Sequence, residues 1–398
     1  MMSEAALDVD RIVQLAADAA GSDDFGEPTW RDGLVRLAGA LAEEARLNEL
    51  GEQIAAGELV TLLANRAGVT AWRAEHPEVA DGDVVPPIVI IGQGRTGTTI
   101  LYDLLARDPA NRAPLTWEVD LPVPPPETAT WDTDPRIQLV DDTLAGVDLL
   151  IPGFRAMHPM GARLAQECVR ITASEFRSVI FPTQYRVPSY ARWCMYEADM
   201  APAYRLHRQF LQHLQSRHPA GPAPADRWLL KSPAHIWCLD ALLDEYPDAL
   251  LVQTHRDPLR IIASLSSLMA MLRSLTSDDP SIPEVANEWA EYIAEGLDRS
   301  VTARLDGTVP ADRVVDVQFS DFMADPFTTI GQVYDSLGLD LPPESEARMR
   351  AFLAEHGQGE HGTHRYTFAE TGLDLDEWRE RMARYQEHFG VASEPDLV

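Results

Sequence analysis

A glycine-rich segment at residues 92–99 has the residue types and spacing of a phosphate-binding turn. Gly92, Gly97 and Thr99 match the P-loop pattern GxxxxGK[ST], but Thr98 stands where the lysine would be. Glycines let successive backbone N–H groups point toward an anion, and the following helix adds a favourable dipole. Because the lysine that reaches the β- and γ-phosphates is missing, a nucleoside triphosphatase is disfavoured. The alternative is a glycine turn without a ligand. The residues predicted to contact the anion are Gly94, Arg95, Thr96, Gly97, Thr98 and Thr99, with Arg95 as the cation.

Residues 255–264 indicate a second anion site, at a place where a strand ends and a helix begins. Asp257 suits the N-cap of that helix and Pro258 suits its first position. Arg256 would then lie at the carboxyl end of the strand, where open α/β sheets bind ligands. A guanidinium and a hydroxyl donor, here Arg256 and Ser264, form a suitable phosphate clamp. The alternative is that Arg256 caps the helix by pairing with Asp257.

The segment Ile90-Ile91-Gly92-x-Gly94-Arg95-Thr96-Gly97-Thr98-Thr99 resembles the 5′-phosphosulfate loop of the sulfotransferases. The match is to the branch with R-[ST]-G-T-T, which tyrosylprotein sulfotransferases share with bacterial relatives. Arg256 and Ser264 resemble the R-x7-S signature of the family, which holds the 3′-phosphate of the donor, 3′-phosphoadenosine 5′-phosphosulfate (PAPS). The resemblance covers about residues 86–390, and the N-terminal helices look like those of actinobacterial members. It implies that PAPS is the co-substrate and that no metal is required.

The resemblance also implies catalytic roles for Lys231 and Arg95. Leu229-Leu230-Lys231-Ser232-Pro233 is similar to the lysine-containing strand end of the family. By that match Lys231 would stabilise the leaving phosphate oxygen, and Arg95 would share the charge on the transferring group. In-line sulfuryl transfer needs this stabilisation, an oriented acceptor and a base for the proton of the acceptor. The alternative for Lys231 is a surface lysine at the end of a strand.

Several residues are candidates for the base. Tyrosylprotein sulfotransferases place a glutamate shortly after the first helix, and Glu118 occupies that region here, offset by a few residues. Cytosolic sulfotransferases use a histidine two residues after the lysine, but Pro233 stands at that position in this sequence. His235, two residues further on, is therefore a fallback, and His158 is another candidate.

The segment at residues 356–366 holds three histidines and an arginine among glycines. The resemblance implies that this late basic loop closes over the nucleotide, with Arg365 as the contact. His361 and His364 leave a metal site open as an alternative, although no cysteine lies nearby. We predict no metal site.

Strands that alternate with helices must position these residues. Short apolar runs predict strands over 88–91, 228–230, 250–252 and 314–317, each followed by a helical segment. This alternation predicts an α/β fold with a P-loop-NTPase-like parallel sheet flanked by helices, an N-terminal helical region and a helical insertion. We also expect residues 113–126 to be a proline-rich loop and residues 393–398 to be frayed.

Changes in composition divide the chain into candidate domains. We predict an N-terminal helical region over 1–80 and a sulfotransferase-like α/β domain over 81–398, with the helical insertion over about 135–217. The N-terminal region is either a packing or oligomer domain or a cap that faces the substrate. The aromatic residues of the insertion suit plain helix packing or an apolar acceptor pocket.

Composition and charge exclude several classes of protein. The 398 residues include 33 Lys and Arg against 63 Asp and Glu, a net charge of −30, which argues against binding to nucleic acid or anionic membranes. Three cysteines form no disulfide framework and fit a reducing compartment. The first residues are acidic where a signal peptide is basic, and no apolar run approaches the roughly 20 residues of a transmembrane helix. We therefore predict a cytoplasmic protein without a transmembrane segment.

The predicted function is transfer of a sulfuryl group from PAPS to a hydroxyl of a small or lipid-like acceptor, by a chain that is a possible homo-oligomer. One alternative is an ATP-dependent P-loop kinase, against which the missing lysine argues. The other is a non-catalytic nucleotide-binding protein, which would bind 3′-phosphoadenosine 5′-phosphate (PAP) without turnover that depends on Lys231. The sequence does not name the acceptor.

Overall fold

The computed structural model describes residues 6–154, 159–218, 227–355 and 366–395, and within these ranges one parallel sheet positions the predicted site. Its strands are β1 Ile88–Ile91, β2 Asn111–Arg112, β3 Arg227–Lys231, β4 Leu250–His255 and β5 Val314–Gln318. They lie in the order β2-β3-β1-β4-β5, and each neighbouring pair runs parallel. The predicted α/β fold with a parallel sheet is therefore confirmed.

Helices make up most of the remaining described chain. In chain order they are α1 Val9–Ala20, α2 Trp30–Glu43, α3 Glu49–Glu75, α4 Thr98–Leu105, α5 Thr116–Asp120, α6 Pro135–Leu150, α7 Cys168–Thr172, α8 Ile180–Gln184, α9 Pro188–Tyr196, α10 Ala201–Gln215, α11 Leu239–Glu245, α12 Pro258–Arg273, α13 Ile282–Leu305, α14 Phe319–Ala324, α15 Pro326–Ser336, α16 Pro343–Glu355, α17 Leu375–Arg381 and α18 Ala383–Phe389. None of the described helices combines the length and the apolar character needed to cross a bilayer.

The chain divides by its internal contacts into two units. The sheet unit holds, among the described residues, 85–113, 227–270, 281–355 and 366–395. The helical unit holds 6–84, 114–154, 159–218 and 271–280. The predicted domains, residues 1–80 and 81–398 with an insertion over 135–217, stay a prediction, because contact density does not report which parts fold independently.

Strand β1 lies at the centre of the sheet, because its residues are apolar and fully buried. Ile90 is opposite Lys231 of β3 and opposite Val252 of β4. Since parallel strands point the same way, the segments that follow β1, β3 and β4 leave the sheet at one edge. The sheet therefore places the glycine segment, Lys231 and Arg256 along that edge.

The helical unit has its own apolar core. Leu34, Leu37 and Leu41 form a buried face of α2 and belong to the same cluster as Phe176 and Tyr190. Most of the aromatic side chains of the predicted insertion are buried, among them Phe154, Phe176, Phe181, Tyr185, Tyr190, Trp193 and Tyr204. Their burial favours helix packing as the role of these side chains.

Local differences from the expected elements have simple causes. The proline-rich segment 113–126 contains a short helix, α5, whose N-terminus is stabilised by the carboxylate of Glu118, which accepts a hydrogen bond from the Leu115 N–H at 2.8 Å. Strand β2 was not expected, because two residues carry no measurable hydrophobic period. The helical segment expected after the strand at 228–230 is a 3-10 turn over Pro233–Trp237 followed by α11.

Candidate anion-binding site

The glycine loop, residues 92–99, joins β1 to α4 through an unusual backbone conformation. Gly92 and Gly97 have φ angles of 123° and 85°, in the region that favours glycine. A Cβ atom on Gly92 would lie 2.6 Å from Oγ1 of Thr254, so a side chain there would collide with β4. Arg95 also has a positive φ, 72°, which is uncommon for a residue with a Cβ atom. Strain of this kind often accompanies functional loops.

The Thr96 side chain holds the glycine loop together from the inside. Its hydroxyl donates to the carbonyl oxygen of Gln93 at 2.6 Å and lies 2.6 Å from the hydroxyl of Thr254 on β4. Thr96 is buried, so its side chain stabilises the turn. Its predicted contact with an anion stays a prediction.

Lys231 ends β3 and is the single lysine of the sequence. It is buried, and its Nζ donates to Oγ1 of Thr99 at 3.3 Å, in the first turn of α4. The ammonium lies 5.6 Å from the centroid of the Tyr102 ring, whose hydroxyl donates to the carbonyl oxygen of Leu229. A compact cation thus reaches the glycine loop from the neighbouring strand. Every other cationic side chain of the sequence except histidine is arginine.

The arginine site, Arg256 with Ser264, begins at the end of β4. Asp257 caps α12, because its Oδ1 accepts a hydrogen bond from the Leu259 N–H at 3.0 Å, as predicted. Ser264 is fully buried further along the same helix. The expected alternative, an ion pair between Arg256 and Asp257, is not the arrangement found, because Asp257 pairs with Arg379 at 2.8 Å.

The structure brings the glycine loop and the arginine site into direct contact. Nε of Arg95 donates to Oγ of Ser264 at 3.0 Å. Nη1 of Arg256 donates to the carbonyl oxygen of Arg95 at 2.9 Å. The eight-residue loop therefore contains one cation, Arg95, and is contacted by two others, Arg256 and, through Thr99, Lys231. Three cationic groups that converge on one helix N-terminus form an environment suited to a ligand with several negative charges.

Burial acts on both arginines, with different results. Burial lowers the pKa of Arg95; nearby Tyr366 raises it and the like charge of Arg256 lowers it, so the net shift is downward. Burial also lowers the pKa of Arg256, but hydrogen bonds and charges from Glu394 and Tyr366 outweigh that effect, and the net shift is upward. A bound anion would offset both the burial of Arg95 and its repulsion from Arg256.

The candidate bases are placed in different parts of the molecule. Glu118 lies in the helical unit and is fully buried, where its oxygens accept hydrogen bonds from the Leu115 N–H and from Nε1 of Trp131 at 2.9 Å. His235 is buried in the 3-10 turn that follows β3. His158 lies outside the described residues. The assignment of the base therefore stays a prediction.

Sequence reasoning missed the carboxylate that lies against the arginine site. Residues 393–398 were expected to be frayed, which is wrong for the described part, because Glu394 pairs with Arg256 at 2.7 Å and with Arg260 at 3.5 Å. The N–H of Glu394 also donates to Oδ2 of Asp257 at 2.7 Å. Arg365, the other predicted contact late in the chain, lies outside the described residues, as do His361 and His364. Among the described residues no group of three or more His, Cys, Asp or Glu side chains is placed to hold a metal ion.

Comparison with known protein families shows to which family this chain belongs. The model of a family described as "Sulfotransferase family" matches residues 86–343. The chain belongs to the sulfotransferase family. The match begins just before β1 and includes every segment of the glycine loop, Lys231 and the arginine site. The predicted resemblance is thereby confirmed, and the protein is an enzyme, a sulfotransferase.

Mycobacterial sulfotransferases are among the similar proteins. The crystal structure of STF9 from Mycobacterium avium is 30% identical, covers 97% of both chains and superposes with a TM-score of 0.87. That of STF1 from Mycobacterium tuberculosis H37Rv is 32% identical, covers 94% of this chain and 98% of the other, and has a TM-score of 0.82. A relative from Mycobacterium bovis, named omega-hydroxy-beta-dihydromenaquinone-9 sulfotransferase Stf3, is 25% identical over an alignment of 323 positions that covers 75% of this chain and 75% of the relative.

Proposed function

We propose that this sulfotransferase moves the sulfuryl group of PAPS to a hydroxyl of a small or lipid-like acceptor by in-line displacement. The observation that carries the proposal is the bridge made by Arg95, which belongs to the glycine loop and donates to Ser264 of the arginine site. PAPS has a phosphosulfate at its 5′ end and a separate 3′-phosphate. Two adjoining anion sites on one edge of the sheet suit such a ligand better than a single triphosphate.

The two sites would bind the two ends of the donor. The 5′-phosphosulfate would lie in the glycine loop, where residues 94–99 and the N-terminus of α4 offer N–H groups and hydroxyls. The 3′-phosphate would be held by the guanidinium of Arg256 and the hydroxyl of Ser264. The loop that contains Arg365 would close over the nucleotide.

The reaction would then use the cations at the loop. As the acceptor oxygen bonds to sulfur and the bond from sulfur to the bridging oxygen breaks, negative charge grows on the 5′-phosphate, and PAP leaves. Lys231 is buried at the loop and would stabilise that charge, while Arg95 would share the charge on the transferring group. Glu118 is proposed to accept the proton of the acceptor, with His235 as the fallback. No metal is required in this scheme.

For the acceptor we propose a chemical class and not a particular molecule. The relative from Mycobacterium bovis is named for a hydroxylated menaquinone derivative, which is a lipid with a hydroxyl group. This name supports a lipid-like acceptor for the present chain, without identifying the molecule. The cytoplasmic location and the possible homo-oligomer stay predictions.

The donor assignment is tested by calorimetry with PAP and with ADP in the absence of divalent metal. We expect PAP to bind more tightly than ADP, and Arg256→Ala to weaken PAP binding by about ten- to a hundredfold, because charged hydrogen bonds to the 3′-phosphate are lost. Arg256→Ala should leave ADP binding nearly unchanged. Arg348→Ala, which removes an exposed arginine of α16, is the matched control. Equal weak binding of both nucleotides, or a preference for ADP, would overturn the proposal.

A further inference from the structure

The segment Val391–Pro395, here called the tail segment, returns the chain to the start of α12. Helix α18 ends at Phe389, and Gly390 follows it with a φ of 64°, which turns the backbone away from the helix axis. Gln386 of α18 then holds the tail segment, because its Nε2 donates to the carbonyl oxygen of Val391 at 3.1 Å. This path brings Glu394 to the arginine site.

Glu394 makes several contacts at that place. Nε of Arg256 donates to its Oε1 at 2.7 Å, and Nη2 of Arg256 donates to its Oε2 at 3.1 Å. Arg260 lies 3.5 Å from the same carboxylate and donates to the carbonyl oxygen of Pro395. The backbone N–H of Glu394 is fixed by the carboxylate of Asp257. One carboxylate is therefore held between two guanidinium groups.

This arrangement differs from an ordinary surface ion pair. A surface pair joins two mobile side chains, and its contribution is small. Here Arg256 is only 14% exposed and Glu394 29% exposed. The carbonyl oxygen of Arg95 accepts a further hydrogen bond from the Arg256 guanidinium, and the backbone N–H of Glu394 is held by Asp257. The two oxygens of a carboxylate match the two N–H groups of a guanidinium in the same way as two phosphate oxygens do. Glu394 thus supplies at Arg256 the chemistry that a phosphate would supply.

We propose that Glu394 is a built-in competitor that occupies the place of the 3′-phosphate of the donor and must leave when the donor binds. This inference rests on the proposed function, because it takes Arg256 as the 3′-phosphate ligand. Arg256 keeps an anionic partner in both states, so the buried guanidinium is never left without a counter-charge. The affinity for the donor is reduced in proportion to the fraction of molecules in which the tail segment is docked.

A different role for Glu394 makes the opposite prediction. If Glu394 only orients Arg256, removal of its charge loosens the guanidinium and weakens binding of the 3′-phosphate. If Glu394 competes with the phosphate, removal of its charge strengthens binding. The sign of the change in affinity therefore distinguishes a competitor from a positioning residue.

Calorimetry on Glu394→Gln measures that sign. We expect PAP to bind to the variant about three- to tenfold more tightly than to the wild type, because the substitution removes one partly exposed charge that competes with the 3′-phosphate. Adenosine 5′-monophosphate (AMP), which lacks the 3′-phosphate, should bind unchanged. Glu387→Gln removes the same charge from an exposed position on α18 and should change neither affinity. Weaker or unchanged binding of PAP to Glu394→Gln overturns the proposal.

Hydrogen exchange provides a second measurement that does not depend on a variant. In the wild type, saturation with PAP should increase exchange at the amide of Glu394 and its neighbours in the tail segment, because the bond to Asp257 is released. AMP should leave exchange there unchanged. Slower exchange with PAP would show that the tail segment tightens around the donor, and the proposal would fall.

The two proposals can fail separately. If the wild type does not prefer PAP over ADP, both the donor assignment and the competitor role fail. If it does prefer PAP, and Arg256→Ala removes the preference while Glu394→Gln leaves PAP affinity unchanged, only the competitor role fails.

Discussion

The glycine loop and the arginine site follow neighbouring strands of one sheet, but they are built in different ways. The glycine loop is set by its own backbone, through positive φ angles at Gly92 and Gly97 and a hydroxyl bond within the turn. The arginine site depends on partners that are distant in sequence, since Asp257 pairs with Arg379 and Arg256 pairs with Glu394. A short motif can encode the first kind of site, whereas only the complete fold assembles the second.

This difference predicts how variants will affect nucleotides that share a 5′ end. PAP and AMP carry the same 5′-phosphate and differ at the 3′ position. Changes in the glycine loop should weaken both nucleotides alike, and changes in the arginine site should weaken PAP alone. A change at Lys231 should weaken both nucleotides, as a change in the glycine loop would, and should in addition slow the transfer, because the charge that Lys231 is proposed to stabilise grows in the transition state.

The largest expected effect is on Lys231→Ala. We expect the rate of sulfuryl transfer to fall by about a hundred- to a thousandfold, because a preorganised charge at the leaving oxygen is lost. PAP affinity should also fall, but by a smaller factor than the rate, because the 5′-phosphate of PAP carries the completed charge that Lys231 is proposed to stabilise. The measurement is transfer from radiolabelled PAPS to water and to a long-chain primary alcohol, combined with calorimetry for PAP.

Lys231→Arg sharpens this test. It keeps the charge but places a larger, planar group beside Tyr102 and Thr99 in a buried position. We expect it to remain much slower than the wild type, with Arg348→Ala as the unaffected control. A rate for Lys231→Ala within about threefold of the wild type would remove Lys231 from the chemistry.

The parts of the site that the sequence predicts are those encoded by neighbouring residues. The strand, glycine turn and helix at 88–105 follow from apolar runs, glycine spacing and a helical period. The cap at Asp257 follows from an acid before a proline. The sequence also carried a signal that was overlooked, because Lys231 is the single lysine among 33 Lys and Arg residues.

The parts that could not be predicted depend on long-range pairing. Arg256 and Glu394 are 138 positions apart, and Asp257 and Arg379 are 122 apart, so no local pattern links them. Helix α5 was missed because five residues are too few to show a period, and its stability comes from the Glu118 carboxylate. The ion pairs and the short helix are therefore determined by tertiary contacts and not by local sequence.

The next largest effect is expected for Arg379→Ala, which removes a distant partner of the arginine site. Asp257 is fully buried and would lose the guanidinium that pairs with both of its oxygens. A buried carboxylate without its counter-charge is costly, and Arg256 would be drawn toward it. We expect PAP affinity to fall about tenfold while AMP affinity stays unchanged, together with a lower melting temperature.

Arg381→Ala is the matched control for that experiment. It lies on the same helix, α17, and removes an ion pair with Asp298 at 2.7 Å instead of the one with Asp257. We expect a small loss of stability and no change in PAP affinity. Equal effects of Arg379→Ala and Arg381→Ala on PAP would mean that the pair with Asp257 does not position Arg256. If Arg379→Lys recovers part of the PAP affinity that Arg379→Ala loses, the positive charge at this position contributes to positioning Arg256.

The smallest expected effect comes from Gly97→Ala, compared with Gly307→Ala. The φ angles of these glycines are 85° and 83°, so a Cβ atom meets the same backbone strain of about 1 kcal/mol at either position. At Gly97 the new Cβ atom would also lie 3.1 Å from Cδ2 of Phe319, whereas at Gly307 it would meet nothing within 4 Å. Both variants should lose stability in urea unfolding, and Gly97→Ala should lose somewhat more because of its added contact with Phe319. Of the two variants, only Gly97→Ala should weaken nucleotide binding. It should weaken PAP and AMP by about the same few-fold factor, because the N–H groups of a shifted loop no longer point at the 5′-phosphate that both nucleotides share.

A loss of affinity confined to PAP would contradict this expectation. It would show that the glycine loop and the arginine site act as a single unit, and not as one site encoded by a short motif and another assembled by the complete fold.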